Sequence, residues 1–419
     1  MHKSVAVFTA IILMTLTSVV FANVNTQWDD VEIIVSGESE FTGTAVDPFF
    51  TSLDSDNQWN YYVMGYIKIG LDVRFSEYTG LYLSMKTPKT TTDKTFGDGI
   101  VRAKGLIFGA GQINFIFDEA FFELDRLFVS ELTAYAGLIH TKIGMDTSEK
   151  NWFDGHGELF INTEFGRIDE NLETEFFPAG IKGEYNTRKG FKLDGGWFYM
   201  KKDMDDYNQD IQFAYVGADY QPNAFSDYLV GISSWQQIGN YFQTYWVGSR
   251  QTIDAQFSTY AMAVFHTGSG ITSQGYYAGL RYISANRVYF TDVTYWYLGG
   301  NNPGSSTNES FFNTANLHTT MILDDANMGV GLNKNYTAVK VVAGARINYN
   351  ARLLMVLAYY KRIYSGSGPK PGNEVDGIYR VTFGSRFIVD LKAGYIFDTE
   401  IVPGDSQAWM FAITVKAKY

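Results

Sequence analysis

The chain has 419 residues, of which 33 are Lys or Arg, 45 are Asp or Glu and none is Cys, so its formal net charge is −12. This acidic balance argues against a nucleic-acid-binding protein, which needs a basic face. The lack of cysteine excludes disulfides, thiolate metal sites and a cysteine nucleophile. Only 19% of the residues are charged, whereas aromatic residues reach 16% and glycine accounts for 41 positions. This composition favours one large all-β domain over a disordered chain.

The N-terminal segment, residues 1–22, has the features of an export signal. Lys3 precedes an apolar run from Val5 to Val20, and Val20 and Ala22 fit the positions before a leader-peptidase cleavage site. We therefore predict a cleaved signal peptide over 1–22 and a single exported domain over 23–419. A permanent anchor is the alternative, because the apolar run approaches the shortest length that spans a bilayer.

Apolar and polar residues alternate along much of the remaining chain. The odd positions of 63–75 are apolar or glycine, while even positions carry Lys68, Asp72 and Arg74. Alternation indicates strands with one apolar and one polar face. Several runs are long enough for a tilted strand to cross a bilayer, and Tyr and Trp cluster at their ends, as at membrane interfaces. The pattern predicts an all-β fold, a transmembrane antiparallel β-barrel.

The number of alternating runs predicts the size of this barrel. We expect eighteen strands, joined alternately by tight turns and by long segments, and sixteen if two pairs merge; either number encloses an aqueous lumen. The predicted strands are 31–40, 60–76, 79–88, 101–116, 131–143, 177–186, 190–200, 210–220, 228–236, 241–250, 254–266, 275–284, 287–298, 336–349, 351–363, 377–384, 387–397 and 408–419.

Parts of the chain resemble the general bacterial outer-membrane porins. The resemblance rests on the strand 134–144, on Asn162–Gly166 with Thr163 where the family has Pro, on the hairpin 180–199 and on the alternating C-terminal strand that ends at Tyr419. It implies a bacterial outer-membrane protein whose long third extracellular loop, 144–176, folds into the lumen. It also implies a homotrimer and recognition of the Tyr419 strand by the barrel-assembly machinery.

A charge pattern suggests how such a channel is constricted. We predict that acidic residues of the loop face basic residues of the barrel wall and create a transverse field that favours small hydrophilic solutes and ions in passive diffusion. The predicted constriction acids are Asp146, Glu149, Asp154, Glu158, Glu164 and Asp169, and the predicted wall bases are Lys68, Arg74, Lys192, Arg281, Lys340 and Arg346.

Three other functions remain open from the sequence. A channel selective for a saccharide or another small nutrient would line its lumen with aromatic rings, for which Tyr66, Tyr260, Tyr276 and Tyr282 are candidates. An adhesin or anchor would display the long loops, and a membrane hydrolase would assemble a catalytic group from distant strands. No catalytic or metal-binding motif is present in the sequence, so we expect no enzyme activity, no cofactor and no bound metal.

Overall fold

The described strands form one antiparallel sheet that closes on itself. The computed structural model describes residues 24–28, 31–47, 60–86, 116–139, 177–187, 189–201, 211–237, 240–300, 302, 304, 335–364, 370–384, 386–400 and 406–418. Eighteen strands form the ring. No helix in these ranges is long and apolar enough to cross a membrane.

The strands are numbered here in chain order. Their bounds are β1 (Val24–Trp28), β2 (Val31–Asp47), β3 (Asn60–Ser76), β4 (Thr79–Lys86), β5 (Ile116–Leu124), β6 (Leu132–Leu138), β7 (Phe177–Asn186), β8 (Phe191–Lys201), β9 (Ile211–Asn223), β10 (Ser226–Gln237), β11 (Asn240–Thr252), β12 (Phe257–Gly268), β13 (Ile271–Ile283), β14 (Tyr289–Leu298), β15 (Tyr336–Arg346), β16 (Ala351–Arg362), β17 (Gly372–Phe383), β18 (Phe387–Phe397) and β19 (Gln407–Lys418).

The ring closes where β19 pairs with β2. This pairing runs from Trp409 opposite Asp47 to Lys418 opposite Glu38, and each of the other ring strands pairs with its neighbours in sequence. β1 lies outside the ring, because it pairs only with the first residues of β2, from Val24 opposite Val35 onward. β1 pairs with the start of the same edge of β2 whose later residues pair with β19. Two segments that are distant in sequence therefore share one edge of β2.

The barrel wall has an apolar outer face and a mixed inner face. In β16, Leu353, Met355, Leu357 and Tyr359 are exposed, whereas Leu354, Val356, Ala358 and Tyr360 between them are buried. Successive strand side chains point to opposite faces, so the exposed set covers the outside of the barrel. Exposed apolar side chains on a closed barrel are those that contact lipid.

Aromatic side chains ring the outer face at both ends. Near the end with the long connections the exposed rings include Tyr241, Tyr245, Phe265, Tyr276, Tyr359, Phe397, Trp409 and Phe411; near the other end they include Tyr78, Phe191, Tyr220, Tyr228, Phe257, Tyr289 and Phe383. Such girdles lie at the two membrane interfaces. In bacterial outer-membrane barrels the short turns are periplasmic, and we accordingly call the end with the short turns the periplasmic end and the end with the long connections the extracellular end.

Several periplasmic turns are closed by Asn or Asp side chains. The Asn223 Oδ1 atom accepts a hydrogen bond from the Phe225 amide at 2.8 Å, and the Asn348 Oδ1 atom accepts one from the Asn350 amide at 2.8 Å. Asp254 Oδ1 accepts from the amides of Gln256 and Phe257. These side chains replace backbone partners where the strand reverses, which explains why tight turns occur at these positions.

The predicted barrel is confirmed, and most strand positions agree within a few residues. The fourth predicted strand, 101–116, is misplaced, because the strand described here begins at Ile116 and runs to Leu124; residues 101–115 lie outside the described residues. The sequence analysis also missed β1 and the second half of β2. In β5, Glu119 and Glu123 interrupt an apolar run, and residues 117–124 fall between two predicted strands.

The outward position of Leu357, in the middle of β16, gives a direct test of this arrangement. Leu357→Arg should lower the free energy of unfolding from a bilayer by about 2–4 kcal/mol, because the guanidinium enters hydrocarbon. Chemical denaturation of the barrel folded into lipid vesicles measures this change. Tyr349→Arg is the control, because Tyr349 is 92% exposed in a periplasmic turn. Equal stability of the two variants would contradict the assignment of faces.

Candidate functional site

The six predicted wall bases all lie on the inward face, and four of them contact nearby acids, three of these four on β3 and β8. Lys68 Nζ is 3.2 Å from Glu119 Oε2, and Lys192 Nζ is 3.3 Å from Glu184 Oε2. Arg74 contacts two carboxylates, with Nη1 at 2.9 Å from Glu123 Oε1 and Nε at 3.0 Å from Asp72 Oδ1. These bases are largely neutralised within the wall, and their sector of the lumen is acidic on balance.

Arg281 belongs to a buried network of charged and aromatic groups. Its Nε and Nη2 atoms lie 2.9 and 2.6 Å from Asp292 Oδ2, and Tyr260 donates its hydroxyl hydrogen to the other oxygen of Asp292. The guanidinium also lies 5.3 Å from the ring centre of Tyr260 and 5.5 Å from that of Phe290. The network ties β12, β13 and β14 together and holds Arg281 against the wall.

Lys340 and Arg346 belong to a sector in which bases predominate. Arg346 lies opposite Arg352 on β16, and Arg352 lies opposite Arg380 on β17, so three arginines form a row across neighbouring strands. Arg380 forms a buried fork with Asp390, at 2.6 and 2.8 Å. We call the inward face of β15–β19 the basic sector. Its charged residues are Lys340, Arg346, Arg352, Arg362, Arg380, Lys392, Lys416 and Lys418, with Glu374, Asp376 and Asp390.

The inward face of β2–β10 has the opposite balance, and we call it the acidic sector. Its described acids are Glu32, Glu38, Glu40, Asp72, Glu119, Glu123, Glu184, Asp194, Asp219 and Asp227, against Lys68, Arg74, Lys182 and Lys192. In a ring of eighteen strands, strands nine apart face one another, so β15–β19 lie across the lumen from β6–β10. The closed barrel therefore separates charge of opposite sign across its interior.

The whole of loop 144–176 lies outside the described residues, and so do the six predicted constriction acids that it carries. These are Asp146, Glu149, Asp154, Glu158, Glu164 and Asp169. Their opposition to the wall bases stays a prediction. What the sequence analysis missed is that the wall itself supplies acids opposite the bases. The inward parity of Glu184, Asp194 and Asp219 is readable from the alternation, but their position across the ring depends on the strand order.

Aromatic rings line the inward face from β8 to β16, across the strands between the two sectors and into the edge of each. We call them the aromatic arc: Phe198, Phe213, Tyr215, Trp235, Phe242, Trp246, Tyr260, Tyr277, Trp296, Tyr336 and Tyr360. Neighbouring rings contact one another, with ring centres 4.2 Å apart for Tyr277 and Trp296 and 5.1 Å apart for Phe213 and Trp235. Most of these side chains are buried, Phe213 at 0% exposure and Trp296 at 2%, so their faces are not open to a solute.

Of the four tyrosines considered as a saccharide track, one lies in the aromatic arc. Tyr260 points inward, whereas Tyr276 pairs with outward Ala263 and Tyr282 with outward Phe257. Tyr282 cannot share a face with Arg281, because adjacent strand residues point in opposite directions. Assigning Tyr276 and Tyr282 to the lumen was therefore wrong. Tyr66 lies outside the residues whose side chains are described.

Two rings of the aromatic arc lie flat on glycines of the neighbouring strand. A Cβ atom at Gly279 would overlap the ring of Tyr260, and one at Gly231 would overlap the ring of Trp246. Glycine at these two positions leaves the space that each ring occupies. The rings therefore lie along the wall, and the lumen keeps the width they would otherwise fill.

Gly279→Ala should lower the free energy of unfolding by about 1–3 kcal/mol, because the added methyl group forces Tyr260 away from the wall and from Asp292. Denaturation in lipid vesicles measures the loss. The same substitution in a Tyr260→Ala background is the control, since no ring is then displaced. A double-mutant cycle with no coupling between the two positions would contradict the packing described here.

Comparison with known proteins identifies the fold. No protein-family model matches the sequence, and no curated protein sequence matches it. Similar solved structures include three proteins of Pseudomonas aeruginosa: OccK5 (OpdH), OpdK with vanillate, and OccK2 (OpdF) in complex with glucuronate. OccK5 has a TM-score of 0.58 at 9% identity, OpdK one of 0.56 at 12% identity, and OccK2 one of 0.57 at 10% identity. Each match covers 92% of this chain, and the matches cover 97% of OccK5, 98% of OpdK and 97% of OccK2. These relatives in structure are channels, not enzymes. The chain thus has the β-barrel fold of these Pseudomonas aeruginosa proteins, and its apolar outer face and aromatic girdles are those of a barrel that spans a lipid bilayer.

Proposed function

We propose that this protein is a substrate-selective outer-membrane channel that passes small hydrophilic carboxylates by passive diffusion. The observation that carries the proposal is the separation of charge between the basic sector and the acidic sector of one closed barrel. An uncharged lumen would sort solutes by size alone. A lumen with walls of opposite sign also sorts them by charge and by the direction of their dipole.

The basic sector supplies the attraction for an anion. Guanidinium groups bind planar carboxylates through paired hydrogen bonds, and Arg346 and Arg352 lie opposite each other on neighbouring strands. Arg380, the third member of the row, is engaged in its buried fork with Asp390 and adds no charge to this attraction. The acidic sector opposite repels the carboxylate and turns the solute so that its anionic end faces the row. Because the protein wall has a low dielectric constant, it focuses this field into the aqueous lumen.

The solved structures that share the fold agree with this substrate class. OpdK is described with vanillate and OccK2 with glucuronate, and both ligands are carboxylates. They support substrate selection, which the sequence left as an alternative, better than general diffusion, which was the main prediction from the sequence. A saccharide channel that stacks sugar rings finds less support, because the aromatic arc is buried.

We also propose that loop 144–176 narrows the lumen beside the basic sector. Its acids complement the excess of bases there, and the resemblance to the general porins implies the same position. Replacing Asp146, Glu149 and Asp154 by their amides should raise the preference for anions over cations, because negative charge leaves the constriction. Reversal potentials in planar bilayers under a salt gradient measure the preference. An unchanged potential would contradict this placement of the loop.

Three further features remain predictions from the sequence. Residues 1–22 are a cleaved export signal, the strand ending at Tyr419 is recognised by the barrel-assembly machinery, and the barrels associate as homotrimers. Each concerns how the protein reaches the membrane or assembles there. The N-terminal sequence and the copy number of the protein purified from outer membranes would test the first and third.

Uptake into liposomes tests the proposed selectivity. Glucuronate and glucose have similar size but differ in the carboxylate, so we expect saturable uptake of glucuronate that clearly exceeds that of glucose and weakens at high salt, where the field is screened. Combining Arg346→Gln with Arg352→Gln should reduce glucuronate uptake several-fold and leave glucose uptake nearly unchanged. Arg287→Gln is the matched control, because Arg287 lies in an exposed periplasmic turn.

The alternatives give different results in the same liposomes. Uptake graded by size for both sugars, and unaffected by the arginine substitutions, would mean general diffusion and would overturn the proposal. Absence of both uptake and conductance would mean a barrel that serves as an anchor. Equal loss of glucuronate uptake in the Arg287 control would show that net charge, and not the lumenal row, governs entry.

A further inference from the structure

The apolar outer wall has a hollow on one side of the barrel, which we call the outer hollow. It extends over β6–β10, has a volume of about 740 Å³ and is lined almost entirely by apolar atoms. Its floor consists of small outward residues, namely Ala134, Ala136, Gly183, Gly195 and Ala214. Larger outward side chains surround the floor, namely Phe122, Ile181, Trp197, Val216 and Ile232.

The wall across the barrel from the outer hollow carries larger side chains. β16 lies nine strands from β7, and its outward residues include Leu353, Met355 and Leu357. Two convex cylinders touch along a narrow line, whereas a hollow in one of them lets the other approach over a broad face. Within a bilayer, close approach at small residues is what makes protein–protein contact more favourable than contact with lipid.

One aromatic side chain of the outer hollow lies between the two girdles. Trp197 is in the middle of β8, points outward and is 47% exposed. Its indole N–H donates to none of the residues that the structure describes. Tryptophan is favoured at membrane interfaces, where this donor meets water or headgroups, and acyl chains offer no acceptor. A second protein wall offers carbonyl and hydroxyl oxygens, so the depth of Trp197 favours protein over lipid as the occupant.

The outer hollow is large enough for a stable protein interface. Neighbouring strands are about 4.8 Å apart, so the five strands β6–β10 form a face about 24 Å wide. The apolar band of such a barrel is about 25 Å tall. Its flat area is thus about 600 Å², and side chains that project from it add to this, which approaches the about 800 Å² that each partner buries in a standard interface.

The width of the outer hollow also agrees with a three-fold arrangement. In a trimer each barrel has its two neighbours in directions about 60° apart. One strand of an eighteen-stranded ring covers about 20°, so the two contacts lie about three strands apart. Contacts centred on β7 and β10 both fall within the hollow. Trp197 and Val216, on β8 and β9, then lie close to the common axis.

We propose that copies of this protein associate through the outer hollow, with Trp197 of each copy near the common axis. The occupant of the hollow is a second copy of the chain, whose wall replaces the lipid there. The proposal goes beyond the homotrimer that the sequence implies, because it assigns the surface. It does not depend on what crosses the lumen, and a barrel without selectivity for carboxylates would associate in the same way.

Cross-linking through single cysteines tests the assignment, because the chain has no cysteine of its own. Val216→Cys places a thiol near the proposed axis and keeps Trp197. In full-length protein reconstituted into phospholipid vesicles, a short bismaleimide should join two copies of this variant, and the dimer is counted on a denaturing gel. Leu357→Cys is the control on the far wall and should remain monomeric. Linkage of both variants to the same extent, or of neither, would overturn the proposal.

A second experiment fills the hollow. Gly183 lies in its floor, and Gly377 is an outward glycine of β17 on the far side of the barrel. A Cβ atom at either position meets no other atom within 4 Å, so each barrel accepts a larger side chain there. Gly183→Leu should reduce the fraction of associated barrels several-fold in native mass spectrometry, and Gly377→Leu should leave it unchanged.

The same spectra distinguish a lipid from a second copy as the occupant. If the unmodified protein is a single barrel, and Gly183→Leu only lowers the amount of lipid that it retains, the occupant is lipid and the proposal is wrong. Equal association of the two leucine variants would also contradict it. Equal midpoints of unfolding in denaturant verify that both variants form the barrel.

Discussion

Backbone pairing inside hydrocarbon is the constraint on which the rest of this structure depends. No water reaches the bilayer core, so every strand N–H and C=O group there needs a partner in the protein, and only a sheet without free edges supplies them all. The pairing of β19 with β2 removes the last edge. Once the ring is closed, strict alternation assigns each side chain to lipid or to the interior. The apolar exterior and the charged interior are thus two consequences of one closure.

Closure also determines which charges meet. Lys68 and Glu119 are far apart in sequence and lie on β3 and β5, yet they form an ion pair across β4. Glu119 lies opposite Ser84 of β4, and Ser84 lies opposite Gly70, two residues from Lys68 on the same face of β3. The fork of Arg380 and Asp390 forms between direct neighbours. Such partners neutralise charge locally in both sectors. The acids left over in β2–β10 and the bases left over in β15–β19 set the interior field, and the proposed selectivity for carboxylates rests on that separation.

The alternation of residues was enough to predict the fold, because period two and strand length are local properties of a sequence. Local pattern also placed Lys340 and Arg346 on the polar side of β15. It failed at β5, where Glu119 and Glu123 lie within an apolar run, and at Tyr276 and Tyr282, where aromatic residues were assigned to a face without regard to parity. Partners across the ring, such as Asp194 and the basic sector, depend on strand order and register, which a single sequence does not reveal.

The rings that lie flush on Gly231 and Gly279 have a consequence for how such barrels diversify. The number of strands sets an upper limit on the pore diameter, but the open cross-section depends on whether each inward aromatic ring packs flat on a glycine of the neighbouring strand. Exchange of one glycine for a larger residue would tilt a ring inward and narrow the passage, with no strand gained or lost. Calibre can therefore be adjusted one residue at a time within a constant architecture.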